Sequence, residues 1–323
     1  MEHYSPPYTI TDEILVLVAS ISEKLGRIST VHALETKPHL RRNNRIKSIH
    51  SSLRIEANSL SLGQVRDVLN GRLVLGEQRE IQEVKNAYAA YEKLQEIDPF
   101  NLEELKELHG IMTQFIEEES GMFRTGEEGV FRGDRCIFVA PPAMRVPDLM
   151  EDLFSWMTRS RKTLHPLILS AVFHYEFVFI HPFADGNGRM ARLWHTAILA
   201  YIPLESQIER FQDDYYEAIA ACHKKGTSNT FVQFMLHQID QVLDELTVQI
   251  AEDDRQQSVC VQKLLSVMDY DIPYTAAELM ERLQLKSRNA LRNNYLSPAM
   301  DLNLVEMTIP DKPNSRNQRY IRK

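Results

Sequence analysis

Apolar residues recur at three-to-four spacing along most of this chain, a pattern that predicts a mainly helical protein. Ile14-Leu-Val-Leu-Val-Ala19 follows the N-cap candidate Thr11 and two acidic residues, so it predicts a buried helix. Ser61-Leu-Gly-Gln64 is a capping box that opens Val65 to Leu69, and Asn70-Gly71 closes that helix. Glu80 to Leu94 and Leu102 to Phe115 predict two more helices, separated by Pro99. Leu164 to Phe177, Gly188 to Tyr201 and Gln207 to Glu245 continue the helical pattern. Before residue 300 only Arg135 to Ala140 has the β-branched and aromatic character of a strand, which Pro141-Pro142 ends.

The pattern changes after Asp253-Asp254. Val259 to Met268, a helix opened by the capping box Thr275-Ala-Ala-Glu278, and Ser287 to Leu296 predict three short helices. Leu302 to Ile309 and Arg319 to Arg322 then pair as a hairpin around the polar loop Pro310 to Gln318. Three helices and a hairpin describe a winged helix. The expected organisation is a helical region over about 1–95, a helical core with one hairpin over about 96–254, and a winged helix over about 255–323.

Composition narrows the class without choosing a function. At 323 residues, 43% hydrophobic and 25% charged, the chain is ordinary globular material. Its net charge of −8 argues against a protein that coats nucleic acid along its whole surface. The last segment, from Lys286 onward, reverses that sign with eight Lys or Arg against three Asp or Glu. Lys286, Arg288 and Arg292 fall on the third helix, where they could contact DNA phosphates, although winged helices also dock proteins. Cys136, Cys222 and Cys260 are odd in number and widely spaced, which suits a reduced cytoplasm. The apolar run at Ile14 is too short to span a bilayer, so no membrane association is expected.

The densest chemistry lies in His181-Pro-Phe-Ala-Asp-Gly-Asn-Gly-Arg-Met-Ala-Arg192. Gly186-Asn187-Gly188 falls where a loop meets a helix N-terminus, and free N–H groups there bind anions. Gly186 and Gly188 would allow positive φ and close approach of a phosphate. Arg189 and Arg192 share a helix face and can both reach one polyphosphate. Asp185 is a hard oxygen ligand suited to Mg²⁺, and His181 can accept a proton near neutral pH. Singly, each of these residues is commonplace. In this order they describe a site for phosphate chemistry.

The twelve residues resemble, at every defining position, the signature of the Fic family, His-Pro-Phe-x-Asp/Glu-Gly-Asn-Gly-Arg-x-x-Arg. The resemblance covers about residues 40 to 245. It implies an enzyme that transfers a nucleotide monophosphate, usually AMP from ATP, to a Ser, Thr or Tyr hydroxyl of a target protein. By position, His181 resembles the general base, Asp185 the Mg²⁺ ligand, Gly186, Asn187 and Gly188 the anion nest, Arg189 a phosphate clamp and Arg192 the γ-phosphate partner. Phe183 would anchor the loop in the core. Tyr215 and Tyr216 resemble the tyrosines that stack on adenine. Doc-type kinases of the same superfamily lack the full Gly-Asn-Gly-Arg-x-x-Arg set, which disfavours phosphate transfer.

Ser51-Ser-Leu-Arg-Ile-Glu-Ala-Asn58 resembles the Fic inhibitory motif, with Ser52 and Glu56 in the matching places. Position 57 departs from that motif, being Ala where Gly or Asn is usual. As Ala is the best helix former, an intact helix is expected there. Gly129 to Pro142 resembles the Fic flap, a hairpin that aligns a target segment by edge pairing, with Phe138, Val139 and Ala140 as docking candidates. The combined reading is a Fic helical bundle with a hairpin flap and a C-terminal winged helix, acting as a self-inhibited protein adenylyltransferase. Its implied partners are ATP, a target protein, a second copy of the chain in a homodimer, and itself as a modification substrate. The alternatives are transfer of another nucleotide, removal of AMP with Glu56 orienting a water, or a DNA-binding regulator that only senses nucleotide.

Overall fold

A computed structural model describes residues 4–30, 38–94, 96–132, 135–199, 204–256, 259–313 and 315–323. It divides into two compact units, residues 1–25 with 43–243, and residues 26–42 with 244–323. In chain order the first helices are α1 (Asp12–Thr30), α2 (Pro38–Ile55), α3 (Leu62–Leu69), α4 (Gln78–Lys93) and α5 (Leu102–Met112). Strands β1 (Gly129–Arg132) and β2 (Arg135–Val139) follow, then α6 (Val146–Ser160), α7 (Pro166–Ile180), α8 (Asn187–Ile198), α9 (Glu205–Arg210), α10 (Gln212–Lys225) and α11 (Asn229–Gln256). Tyr201, expected to end the α8 helix, lies outside the described residues, as does the side chain of Cys136.

The first unit is built around α7, which is buried on nearly every face. An all-round apolar helix can only be stable if neighbours enclose it. They do so with aromatic side chains: Phe154 of α6 meets Phe173 edge-on with ring centroids 5.7 Å apart, and Phe231 of α11 lies 5.1 Å from the ring of His174. Trp194 of α8 is fully buried beside Phe154 and donates its indole N–H to the Pro99 carbonyl at 3.1 Å. Pro166 at the first turn and the His165 imidazole as cap start the helix. The result places the C-terminus of α7 and the N-terminus of α8 at the two ends of one short loop.

Local signals place most of the other elements. Ser61 and Gln64 form the reciprocal capping box at α3, and Thr11 Oγ1 caps α1, whose buried stripe is Ile14, Leu17 and Ile21. Leu15 and Val16 of the same run face outward, as the helical period requires. Helix α5 stops at Met112, short of the expected Phe115, which takes a left-handed φ of 62°. The hairpin pairs Gly129 with Val139 and Val130 with Phe138, then shifts register before Phe131 pairs with Cys136.

In the second unit α12 (Val259–Ser266), α13 (Ala276–Arg282), α14 (Arg288–Ala290), a π-helical turn at Leu291–Leu296 and α15 (Ser297–Asp301) precede strands β3 (Val305–Met307) and β4 (Tyr320–Arg322). Val261, Leu264, Met268, Leu279, Leu291 and Val305 form its core. Thr275 and Glu278 make the capping box of α13, and β3 pairs antiparallel with β4, an order of helices and hairpin compatible with a winged helix. Lys286, Arg288 and Arg292 are all exposed, as a phosphate-binding face requires. No described helix is long and apolar enough to cross a membrane.

One expectation fails for an informative reason. Helix α2 ends at Ile55, and Ala57 lies beyond it at φ 65°, in the left-handed region. Asn58 then donates its backbone N–H back to the Leu53 carbonyl at 3.1 Å and its side-chain amide to Glu83 Oε2 at 2.8 Å. Position 57 is therefore a helix terminator, where glycine is favoured because it has no Cβ to clash, and the helix propensity of Ala is irrelevant. Ala57→Gly is expected to stabilise the first unit by about 1 kcal/mol, measured as a rise in its thermal or denaturant midpoint. An unchanged or lower midpoint would contradict this account of the α2 terminus.

Candidate functional site

The loop between α7 and α8 is fixed by side chains that hold its backbone. His181 caps α7 at φ 52° and ψ 60°, a left-handed conformation that costs a non-glycine residue on the order of 1–3 kcal/mol. Arg124 holds it there. The buried guanidinium donates from Nε to the His181 carbonyl at 2.7 Å, from Nη1 to the Gly126 carbonyl at 2.8 Å, and from Nη2 to the Pro141 carbonyl at 2.5 Å. Arg124 thereby joins the His181 loop to the base of the hairpin, and its own N–H donates to the Pro182 carbonyl at 2.9 Å.

Phe183 is fully buried, as expected of a loop anchor, and His109 of α5 stacks on it with centroids 3.6 Å apart and planes 4° from parallel. His109 donates from Nε2 to the Asp185 carbonyl at 3.0 Å and accepts the Gly121 N–H at Nδ1, also at 3.0 Å. Both ring nitrogens are thus committed to a neutral ring, and burial pushes its pKa down to about 4. Asn187 closes the loop across its neck, accepting the Phe183 N–H at 3.0 Å and donating to the Phe183 carbonyl at 2.7 Å. Its side chain is a clamp, and only its backbone is left to face an anion.

The glycines act for different reasons. Gly186 has φ 80° and caps α8 in the left-handed region. Gly188 lies within the helix, with no left-handed φ; its missing side chain matters because a Cβ there would run into Glu56 Oε1 and come within 3.1 Å of Arg192 Nη1. The expected positive φ therefore holds for Gly186 alone, and Gly188 is required for close approach. What approaches it is the Glu56 carboxylate.

Glu56 follows the end of α2 and accepts from Arg192 Nη2 at 2.7 Å. Ser52, one turn earlier, accepts from Arg192 Nε at Oγ and from Nη2 at its carbonyl, both at 3.1 Å. Arg192 is buried, with only 1% of its side chain exposed, while Glu56 keeps 36%. A buried guanidinium without a counter-ion is costly, so this single carboxylate matters more than a surface pair does. Burial opposes the charge on Arg192, and Glu56, together with Tyr215 and Tyr216, offsets it, leaving the pKa raised.

Asp185 accepts the Gly186 N–H at 2.6 Å on one oxygen and, on the other, Arg189 Nη2 at 2.9 Å and Arg79 Nη2 at 3.0 Å. Burial raises its pKa, but Arg189, the Gly186 N–H and Arg79 together bring it below the usual carboxylate range. Arg189 also lies 3.5 Å from Glu83. Among the described residues no three His, Cys, Asp or Glu side chains converge as a metal centre. One ionised carboxylate beside a helix N-terminus fits Mg²⁺ that arrives with phosphates, since that ion usually takes only one or two protein carboxylates.

The imidazole of His181 is half-buried. Its Nδ1–H donates to the Val178 carbonyl at 3.4 Å, which leaves Nε2 as the basic nitrogen. Desolvation lowers its pKa, helped by Arg124 and opposed by the Val178 carbonyl, Glu56 and Asp185. A neutral imidazole at pH 7 can accept a proton at once.

Expected contacts elsewhere divide by exposure. Phe138 is turned inward, stacked 4.1 Å from the His223 ring and 5.3 Å from Phe179, and Ala140 is buried with its N–H on the Glu128 carbonyl at 3.0 Å. Of these three, Val139, 71% exposed, presents its side chain outward from β2. Tyr216 is 44% exposed, whereas Tyr215 is buried with its hydroxyl 2.9 Å from His174 Nε2. Of the two, Tyr216 can offer a face to a nucleotide base. Sequence reasoning missed His109, Arg124 and Arg79. A signal existed for His109, a polar residue on the apolar face of Leu105, Leu108 and Met112.

The site coincides with known sequence and structural families. Residues 99–199 match the Fic/DOC family, and residues 260–321 match the C-terminal domain of "Filamentation induced by cAMP protein Fic-like". The crystal structure of a Fic family protein from Desulfovibrio desulfuricans G20 is 43% identical, covers 99% of this chain and 98% of its own, and superposes with a TM-score of 0.74. A curated protein adenylyltransferase Fic from Nematostella vectensis is 29% identical over 61% of this chain and 47% of its own length. The Drosophila melanogaster protein of that name is 29% identical over 70% and 47% respectively. The chain thus spans about half the length of the curated relatives it matches.

From the causes of its shift, His181 is expected to titrate below the ordinary histidine value of about 6.5 in an NMR pH titration. Glu56→Gln removes a carboxylate that favours the imidazolium, so it should move that titration further down. A titration at or above the ordinary value, or an upward move in Glu56→Gln, would contradict this electrostatic picture.

Proposed function

The chain belongs to the Fic family, and we propose that it is a self-inhibited protein adenylyltransferase that moves AMP from ATP to a hydroxyl of a target protein. The observation that supports the proposal is the contact of Glu56 and Ser52 with Arg192 above Gly188, because it sets a carboxylate against the arginine that in this reading receives a phosphate. The names of the curated relatives support the same activity.

In this reading the first-turn N–H groups of α8 and the Arg189 and Arg192 guanidiniums hold the triphosphate, and Tyr216 offers a face to the base. Asp185 would hold Mg²⁺, which supplies positive charge to the phosphates when bound. To do so it must release Arg79, which has Glu83 and Glu117 within 3.6 Å as alternative partners. Val139 and the β2 edge align an extended segment of the target. His181 Nε2 takes the proton of the target hydroxyl as its oxygen bonds to the α-phosphorus. The bond from that phosphorus to the bridging oxygen breaks, and pyrophosphate leaves with the electron pair. The nest and the arginines stabilise the charge that develops, already oriented before reaction.

Inhibition is then a competition between anions. Glu56 on Arg192 excludes the γ-phosphate, and without that contact the triphosphate is not held in line for attack. A bias of about 2–3 kcal/mol toward the paired state leaves on the order of 0.6–3% of molecules competent. Glu56→Gly should therefore raise transfer by tens of fold, including transfer to the protein itself, seen by intact mass as the addition of one AMP after incubation with ATP and Mg²⁺. His181→Ala should fold, bind ATP and lose transfer by roughly a hundredfold or more, and Glu56→Gly combined with His181→Ala should be silent. Transfer by Glu56→Gly at the wild-type rate would remove the inhibitory role. Uptake of label by the double variant at the Glu56→Gly rate would remove His181 from the mechanism.

A further inference from the structure

The carboxylate that would receive a divalent cation already meets two guanidiniums. Asp185 Oδ1 accepts the Gly186 N–H at 2.6 Å, and Oδ2 accepts from both Arg189 Nη2 at 2.9 Å and Arg79 Nη2 at 3.0 Å. Two positive groups on one oxygen leave the local charge positive, which opposes any further cation. The two arginines are not equivalent. Arg189 stands in the first turn of α8 with only 4% of its side chain exposed, so packing fixes it. Arg79, in the first turn of α4, keeps 56% of its side chain in solvent. Of the pair, Arg79 is the one that can withdraw at little cost.

A second partner is already in place for it. The same Nη2 lies 3.3 Å from Glu117 Oε1, and Nε lies 3.6 Å from Glu83 Oε1, one turn along α4. Glu83 is shared, since its Oε2 accepts the Asn58 side-chain amide at 2.8 Å and its Oε1 lies 3.5 Å from Arg189. Among the described residues Arg79 is the one cation paired with Glu117. We propose that Arg79 sets the affinity of the Asp185 position for a divalent cation, covering the carboxylate in the resting chain and passing to Glu117 when a metal arrives with nucleotide. This inference rests on the adenylyltransferase reading, in which Asp185 takes Mg²⁺. It adds to that reading a gate on the metal, separate from the contact of Glu56 with Arg192.

The competing role for Arg79 is to hold a phosphate directly, and the two roles differ in sign. Removing a competitor of the metal tightens metal binding. Removing a phosphate ligand weakens nucleotide binding whether or not metal is present.

The test is titration of Mn²⁺ into the full chain saturated with ADP, followed by loss of the electron paramagnetic resonance signal of the free ion. Mn²⁺ takes the same oxygen ligands as Mg²⁺, and ADP lacks the γ-phosphate that Glu56 excludes. Arg79→Gln should tighten Mn²⁺ binding by roughly three- to fivefold, the scale of a partly exposed ion pair, and the gain should shrink at high salt. Arg79→Lys, which keeps the charge, should stay near wild type, and ADP affinity measured in EDTA should be the same in Arg79→Gln as in wild type. Glu117→Gln should weaken Mn²⁺ binding by about two- to threefold while Arg79 is present and have no effect beside Arg79→Gln, because it acts only by receiving the arginine. Unchanged or weaker Mn²⁺ binding in Arg79→Gln, or weaker ADP binding in EDTA, overturns the proposal. An equal loss from Glu117→Gln in both backgrounds does so too, since Glu117 would then attract the ion itself. Asp185→Asn should lose Mn²⁺ binding, and wild-type affinity in that variant would instead overturn the placement of the metal on Asp185.

Discussion

The site depends on one electrostatic constraint: the guanidinium of Arg192 is buried and must have an anion. Ser52 supplies hydrogen bonds but no charge, and among the described residues Glu56 is the carboxylate that Arg192 donates to. A buried cation stripped of its counter-ion costs about 3–5 kcal/mol, somewhat less here because Glu56 is partly solvated. The protein is therefore built to hold a negative group above Gly188 at all times. In the resting chain that group is its own carboxylate, and in the proposed reaction it is the end of a triphosphate. On that proposal, inhibition and nucleotide binding are two solutions of the same constraint.

The remaining architecture keeps that competition local. The His181 to Gly188 loop takes its holding hydrogen bonds from Arg124, His109 and Asn187, which lie on elements other than α2. His181 is held in a left-handed conformation by Arg124, and Phe183 is locked under the stacked His109 ring. Withdrawing Glu56 therefore uncovers a site already shaped. The interaction at Asp185 has the same logic with the charges reversed, since Arg79 covers a carboxylate that a cation would otherwise meet. Each of the two charged groups that would receive Mg²⁺ and ATP is capped by an opposite charge from the N-terminal helices.

Much of this could be read from the chain because the chemistry is contiguous. His181, Asp185, Gly186 and the two arginines lie within one loop and one helix turn, so spacing alone brings them together, and Ser52 and Glu56 were found by resemblance. Helical periodicity located the helices, and the capping boxes at Ser61 and Thr275 located two starts. What failed were inferences about backbone state and side-chain direction. Ala57 reads as a helix former, yet it occupies a left-handed terminator. Gly188 reads as a residue of positive φ, yet it has no left-handed φ and its missing side chain leaves room for Glu56. Phe138 and Tyr215 read as ligand-facing aromatics, and both point inward, because a residue on an amphipathic element is sorted by register that only the packed neighbours fix. Arg124 was invisible for a different reason, because it acts on the His181 and Pro141 carbonyls far away in sequence and no local pattern encodes that, whereas His109 left only the signal of a polar residue on an apolar helix face.

The most direct test is the thermal unfolding of the first unit in wild type and in Glu56→Gln, with and without ATP and Mg²⁺. Glutamine keeps the size and the acceptor oxygen of Glu56 and removes only the charge. The account predicts that Glu56→Gln alone unfolds a few degrees lower, the equivalent of about 1–3 kcal/mol, and that ATP raises its midpoint well beyond the small shift in wild type. Equal midpoints without nucleotide, together with equal shifts on adding it, would contradict the claim that Glu56 and the triphosphate compete to neutralise Arg192.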